Sequence, residues 1–500
     1  MNLPRISAIV LAFLLATNMV AAQQSSAEQI PSTATIEQKV ERLAAALTQQ
    51  ESELESSQSE IRQLRHQIIE LQAEVAAEKT PGADSLQHVD SEDAARLSAE
   101  VSTLREQQEF QQSEIAIHEQ TKIESESKFP VKLTGLILMN AFANTAGVDV
   151  IQSPSLATSG GGTTGLSLRQ TVLGLDARGP HLFGASSAAD VRVDFFGGLS
   201  QGSYASAGGI ARLRTGHAEL SWSETRAFIE LDRPIMNPNS PTSLAAVAQP
   251  ALAWSGNLWN WIPQAGAEHT FMQSNGSRIV LQGAIADVPD PATPGATATF
   301  SSNASLGEQS RWPGSEARVG YTQGDQMTGL KFGVGGYFSP HSEGSYLHFD
   351  AWAATIDYRV PLFARLEASG SLYRGSALGG LGAGTFKDYL YEQQGGYTQL
   401  SALDDVGGWT QLKARATERL EFNAAYGIDN AFAGELRGYV AAGSSAYQAL
   451  ARNSTVFANV IYSPTAYTQL SLEYRRIDSS PVTGPNLITD VYGVAAGYRF

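Results

Sequence analysis

The chain has 500 residues, no cysteine, and 50 acidic against 34 basic side chains, for a net charge of −16. The missing thiols exclude a disulfide framework and thiolate metal sites. An acidic chain without a basic cluster argues against nucleic acid as a partner.

The start is basic and short, from Met1 to Arg5, and Ile6 to Ala16 is an apolar run of leader length. Asn18 interrupts the run, and Val20-Ala21-Ala22 is a small-residue cleavage site. Residues 1–22 therefore read as a cleaved export signal; an uncleaved anchor would need a longer apolar stretch. No later segment is long and apolar enough for a membrane helix. A membrane protein made of this chain must then be a closed barrel, in which every backbone group finds a partner.

Residues 23–128 carry 21 acidic and 9 basic side chains, for −12, and hold a heptad pattern. Val40, Leu47, Leu54, Ile61, Ile68 and Val75 occupy a positions. Ile36, Leu43, Gln50, Ser57, Leu64 and Leu71 occupy d positions. This predicts an α-helical coiled coil and self-association rather than a lone solvated helix. The a and d residues single out neither a dimer nor a trimer. Lys79-Thr80-Pro81-Gly82 opens a break near 79–90, and a weaker heptad resumes from Ala94 to Ile115.

From Pro130 the period changes to two. Sixteen strands are expected, near 131–144, 165–178, 189–198, 211–223, 226–232, 266–273, 277–286, 315–323, 328–339, 346–359, 362–375, 408–416, 419–428, 454–463, 466–477 and 489–500. Leu420, Phe422, Ala424 and Tyr426 oppose Glu421 and Asn423, the alternation of a wall with lipid on one side and water on the other. Segments 131–144 and 454–463 are apolar on both faces and leave their register open. Short turns such as Ser274-Asn275-Gly276 and Thr417-Glu418 alternate with longer Gly/Ser/Pro-rich loops. The prediction over 129–500 is an all-β transmembrane barrel of about 16 antiparallel strands. An even count returns both barrel ends to the periplasmic side, where the coiled coil would lie. A soluble all-β repeat protein is the alternative.

The third outer loop, 233–264, is long and contains five prolines and three of the seven tryptophans, Trp254, Trp259 and Trp261. With Arg233 at its start, it reads as a segment folded into the barrel to narrow the pore, against the alternative of a rim or subunit contact. Thr242 to Ala248 suit a short helix after Pro241. Asp190, Arg192 and Asp194 share a face of one strand, and Arg212 and Arg214 share a face of the next. Arg318, Arg365, Glu367, Lys413, Arg415, Glu421, Glu473 and Arg475 are further candidates to line the lumen and tune selectivity. Ion-paired wall support is the competing reading of these charges.

The last strand puts Tyr492, Val494, Ala496, Tyr498 and Phe500 on one face. Its Tyr498/Phe500 ending resembles the C-terminal signal read by the bacterial barrel assembly machinery, with Ala495 where that signal usually has Gly. Signal, coiled coil, sixteen strands and long third loop together resemble trimeric porins, and most nearly the DcaP-like group. Leu168–Leu175 and Gly256–Trp261 are similar to segments of that group. The resemblance covers nearly the whole mature chain. It implies a homotrimer in the outer-membrane lipid and passive diffusion of small hydrophilic solutes, often organic anions, through a water-filled channel. The net charge of −5 over 129–500 (29 acidic, 24 basic) weighs against an anion preference.

Two rivals remain at this stage. Gly198-Leu199-Ser200-Gln201-Gly202 matches a nucleophile elbow, and His217 and Ser221 share a face, but no helix follows the serine and no base-orienter spacing accompanies the pair. The chain is read as non-enzymatic, without metal or cofactor. A structural tether is the second rival, with the coiled coil reaching toward peptidoglycan and the barrel as its anchor.

Overall fold

The computed structural model describes residues 122–123, 130–198, 209–290, 304–324, 329–343, 347–394, 397–437 and 449–500. The leader at 1–22, both heptad segments and Ser200 lie outside the described residues. Period-2 alternation builds sixteen antiparallel strands among those described. The first is β1 (Val131–Val148), and the second comes in two segments, β2a (Ala157–Ser167) and β2b (Val172–Arg178). There follow β3 (Ser186–Asp194), β4 (Arg212–Ser221), β5 (Thr225–Asp232), β6 (Ile262–Met272), β7 (Arg278–Ala286) and β8 (Gly314–Gln323). The rest are β9 (Leu330–Glu343), β10 (Leu347–Phe363), β11 (Leu366–Ser376), β12 (Asp404–Arg415), β13 (Leu420–Ala431), β14 (Leu450–Tyr462), β15 (Thr468–Pro481) and β16 (Leu487–Arg499). Each pairs with the next, and β16 pairs with β1 from Leu136↔Arg499 to Asn144↔Val491. The sheet closes on itself, leaving no edge strand.

The terminal strand behaves as its sequence predicts. Tyr492, Val494 and Tyr498 are about half exposed on the outside, whereas Val491 and Ala495 are buried on the inside. Phe500 continues the ladder by exchanging backbone hydrogen bonds with Gly135 (2.9 and 3.1 Å). Its ring covers Gly135, where a Cβ would lie 2.6 Å from the ring edge, so a larger residue there would have to push the ring aside.

The two strands with apolar residues on both faces acquire a register and a reason. On β1, Ile137 and Met139 face outward, while Leu136 and Leu138 pack inward against Leu244 and Val247. On β14, Val456 and Tyr462 face outward, while Phe457 packs inward against Ala246, Ala251 and Leu252. The inner apolar faces mark where chain from the third loop docks.

Several boundaries differ from the sequence reading; β2a begins at Ala157 rather than 165, and β12 at Asp404 rather than 408. The second strand breaks at 168–171, where Thr171 N–H bonds Leu168 O and the Thr171 hydroxyl accepts Leu138 N–H (3.1 Å) in place of a ladder bond. The sixth strand begins at Ile262 rather than 266, because Pro263 keeps a carbonyl that accepts Asp287 N–H. The third loop accordingly spans 233–261. Loop lengths alternate less strictly than expected. Residues 482–486 are a short connection on the long-loop end, and the β9–β10 ladder runs out to Glu343↔Leu347.

The longest loops fold back on the barrel. The sixth, 377–403, carries its own hairpin, Tyr389–Gln394 with Tyr397–Ala402. A capping box at Ser305 and Glu308 starts the short helix α1 (Leu306–Ser310) in the fourth. Leu258, Leu306, Leu378 and Leu381 from three loops meet Tyr337, Ala351 and Tyr373 of the wall in one buried cluster. Burial of each such large side chain contributes about 1.5–3 kcal/mol.

Candidate functional site

The third loop crosses the barrel interior. Met236 N–H bonds the buried Glu316 of β8 (3.2 Å), and its carbonyl accepts the Thr355 hydroxyl of β10 (2.7 Å). Thr242 N–H bonds the Gln411 amide oxygen of β12 (2.6 Å), and the Ser243 hydroxyl bonds Glu473 of β15 (2.5 Å). Asn140 of β1 donates to Leu244 O, and Arg212 of β4 donates to Ala248 O (2.6 Å). All these wall residues point inward. The chain then returns: the Ser255 hydroxyl meets Thr455 of β14 (2.8 Å), and Asn260 donates to Gly380 O of the sixth loop.

The short helix expected over Thr242–Ala248 does not form. Its backbone groups are taken by side chains instead of by each other. Gln170, held inward by the break in the second strand, accepts Val247 N–H (2.7 Å) and Ala248 N–H (3.0 Å) and donates to Ala245 O (2.9 Å). Asn459 donates to Thr242 O, and the Ser243 hydroxyl accepts Ala245 and Ala246 N–H. Every buried backbone donor needs an acceptor; the Gln170 and Gln411 amide oxygens on the wall and the loop's own Ser243 hydroxyl supply them here. Gly256 sits at φ +93°, against the wall; a Cβ there would lie 2.1 Å from Gly408 O.

The three tryptophans divide in role. Trp254 and Trp259 are buried, and Trp254 stacks on Phe386 of the sixth loop at 3.7 Å between centroids. They lock two loops together. Trp261 is half-buried, with Arg212 and Arg214 over its ring at 5.3 and 5.1 Å. Arg233, at the loop start, is also half-buried.

The charged candidates separate into closed and open sets. Arg318 forks onto Asp357, Arg359 and Arg415 flank Glu367, and Lys413 and Arg415 flank Glu421. Arg475 bonds Glu473 and Pro154 O. The carboxylates on β10 and β15 are closed off, with Asp357 only 2% and Glu473 3% exposed. Arg365 is not on the wall at all. It lies in the exposed turn between β10 and β11 and donates to Ala416 O.

The larger open set lies on β2b–β6; Arg415 (39% exposed) and Glu421 (23%) form a smaller one on β12 and β13. Asp190 is 30% exposed and Asp232 35%, with His217 bridging them: Nδ1 at 3.0 Å from Asp190 and Nε2 at 2.9 Å from Asp232. Both ring nitrogens are thus engaged, and Ser221 bonds Glu219 instead of His217. The pair therefore lacks the geometry of a nucleophile and its base. Arg192 bonds Asp176 (2.5 Å) and lies 3.4 Å from Asp190. Asp194 is fully buried and takes Arg212 in a two-point contact (2.8 and 3.1 Å). Sequence reasoning missed the amides Gln170, Gln411 and Asn459, and the inward carboxylates Asp176, Glu219, Glu230, Asp232 and Glu268. The inward period of β5 already contained Glu230 and Asp232.

In the sixth loop, burial raises the Asp388 pKa from 3.8 to about 7 although Gly380 N–H bonds it. The fold therefore favours the neutral acid. Its contribution to stability is complete below pH 3.8 and is lost as pH rises through about 7. The ratio of trypsin cleavage rates after the adjacent Lys387, native chain over Asp388→Asn, is expected to exceed one at pH 8 and to rise at least about tenfold between pH 5 and pH 8. Equal rates at pH 8 would refute this.

No protein-family model matches the chain, and no curated protein sequence does. Solved structures do. The outer membrane channel DcaP of Acinetobacter baumannii superposes with a TM-score of 0.54 at 16% identity, covering 76% of this chain and all of that one. The anion-selective porin from Comamonas acidovorans gives 0.48 at 12% identity, over 75% of this chain and all of that one. The fold is a porin-like outer-membrane barrel of sixteen strands.

Proposed function

We propose that the chain forms a water-filled diffusion channel in the bacterial outer membrane, narrowed by the third loop, for small hydrophilic solutes. One observation carries this reading. The loop is bonded to inward residues of β8, β10, β12, β14, β15 and β1, while most of the charges left accessible lie on β2b–β6. The passage runs between the loop and that wall, past Asp190, Arg192, Arg212, Arg214 and Trp261. Tyr498 and Phe500 act as the assembly signal. Residues 36–75 associate as a periplasmic coiled coil, and the resemblance to trimeric porins makes the assembly a homotrimer.

In planar bilayers the purified protein is expected to open in conductance steps of three. A barrel that stays sealed at all voltages and salt concentrations refutes the channel. The accessible wall mixes both signs, with Arg192, Arg212, Arg214 and Arg226 among Asp176, Asp190, Glu219 and Asp232. The cation-to-anion permeability ratio in a salt gradient is therefore expected within about twofold of unity.

A further inference from the structure

The accessible wall is not a random mixture of signs; it is sorted along the barrel axis. Strand register gives the order. Arg226↔Glu268 lies nearest the short-turn end, then Glu219↔Phe228, then Asp176↔Asp190↔His217↔Glu230. Asp232 follows, and Asp194↔Arg212 comes last, beside Arg214 and Arg233. The zone toward the long loops holds Arg212, Arg214 and Arg233 against a single carboxylate, Asp194; Arg169 nearby is buried and bonded to Phe195 O and Gly198 O. Asp194 is already consumed by Arg212. The zone below it holds Asp176, Asp190, Glu219, Glu230, Asp232 and Glu268 against Arg192, Arg226 and His217.

The outer zone has unspent donors. Among the described residues Arg214 makes no ion pair; its guanidinium rests on Trp261 and feels Asp194 only at a distance. The inner zone has unspent acceptors. Glu219, Glu268 and the buried Glu230 share one arginine, Arg226, at 3.1, 3.7 and 3.9 Å, and Glu219 and Glu268 are partly open to solvent. Glu230 and Arg233 are three residues apart, about 10 Å along the strand direction at ~3.3 Å per residue.

We propose that this wall is a binding site for small zwitterions with separated charges, such as ω-amino acids and short peptides. The solute carboxylate sits on Arg214 and Arg233 beside Trp261, and its ammonium sits between Asp232 and Glu219. A simple anion gains the outer contact and meets repulsion from the inner carboxylates; a simple cation meets the reverse. A zwitterion aligned along the axis gains both. This rests on the channel reading and adds a solute class and an orientation to it.

The test is single-channel recording of the full-length protein in potassium chloride with three matched probes: 6-aminohexanoate, hexanoate and hexylammonium. Each probe's affinity is read from the concentration at which it halves the open current. 6-Aminohexanoate is expected to bind at least about fivefold better than either singly charged probe, one unit-charge contact in water. Arg214→Gln is expected to cut its affinity about fivefold while hexylammonium binding rises. Asp232→Asn and, independently, Glu219→Gln are expected to cut it while hexanoate binding rises. Hexanoate binding as well as 6-aminohexanoate, or hexylammonium doing so, overturns the proposal. Salt current without a zwitterion preference defeats this proposal alone. A protein that passes no salt current defeats the channel reading together with it.

Discussion

Excising residues 239–256 and joining the ends with a short Gly-Ser linker is expected to raise single-channel conductance about threefold, because a sixteen-strand barrel is wide enough for an open aqueous channel. The excision is geometrically mild. The Asn237 side chain donates to Leu258 O at 2.8 Å, so the two ends of the excursion already touch. The linker needs to span only that gap. The Met236 contacts to Glu316 and Thr355 stay, as do Trp259 and Trp261. What is lost is the segment between Gln170, Gln411, Asn459 and the return limb at Gly256. Those wall amides then face water, which satisfies them, so the strand ladder is expected to survive. The check pairs conductance with the temperature at which the folded band converts to the unfolded one in detergent electrophoresis. A folded barrel with unchanged conductance would show that the loop does not limit flow.

The barrel was legible because lipid imposes a rule on alternate residues and closure imposes an even count. Leu420 to Tyr426 obey it so plainly that their strand needed no tertiary information. The loop was legible only as a chemical anomaly. Prolines and three tryptophans marked 233–264 as ordered, but its path depends on side chains far away in sequence. Gln170, Gln411 and Asn459 carry no charge and follow no motif, yet they replace a helix's internal hydrogen bonds. A local reading of Thr242–Ala248 therefore favoured the helix, and the wall overrode it. The two-faced strands β1 and β14 were the signal that could have exposed this. Their second apolar face needed a partner inside the barrel, and no strand was left to supply one. Among charges, position within a strand was legible but accessibility was not. Glu473 and Asp190 look alike in sequence; the loop covers one and leaves the other open.

Arg318→Met is expected to lower the stability of the barrel by about 3–5 kcal/mol, the cost of stripping a buried carboxylate of its partner. Arg318 meets Asp357 through Nε and Nη2, both at 2.8 Å, and reaches Gln282 through Nη1 at 3.0 Å. The pair bridges β8 and β10 across the intervening strand β9, where Gly333 leaves room for it. A Cβ there would lie 2.2 Å from the Asp357 carboxylate. With Asp357 only 2% exposed, water does not replace the lost guanidinium. The remaining contact, Asn239 at 3.4 Å, is a weak neutral donor. Arg318→Met/Asp357→Leu removes the stranded charge as well and is expected to recover most of the loss. Arg476→Met is the control, because Arg476 pairs with Asp490 on the exposed surface and its loss is expected to leave stability unchanged. Urea midpoints in detergent micelles compare all three. If the double variant is as unstable as Arg318→Met, lost packing rather than the unpaired carboxylate sets the cost. If Arg318→Met matches the Arg476→Met control, the interior at this point is wet, and Arg318 belongs with the open charges of β2b–β6.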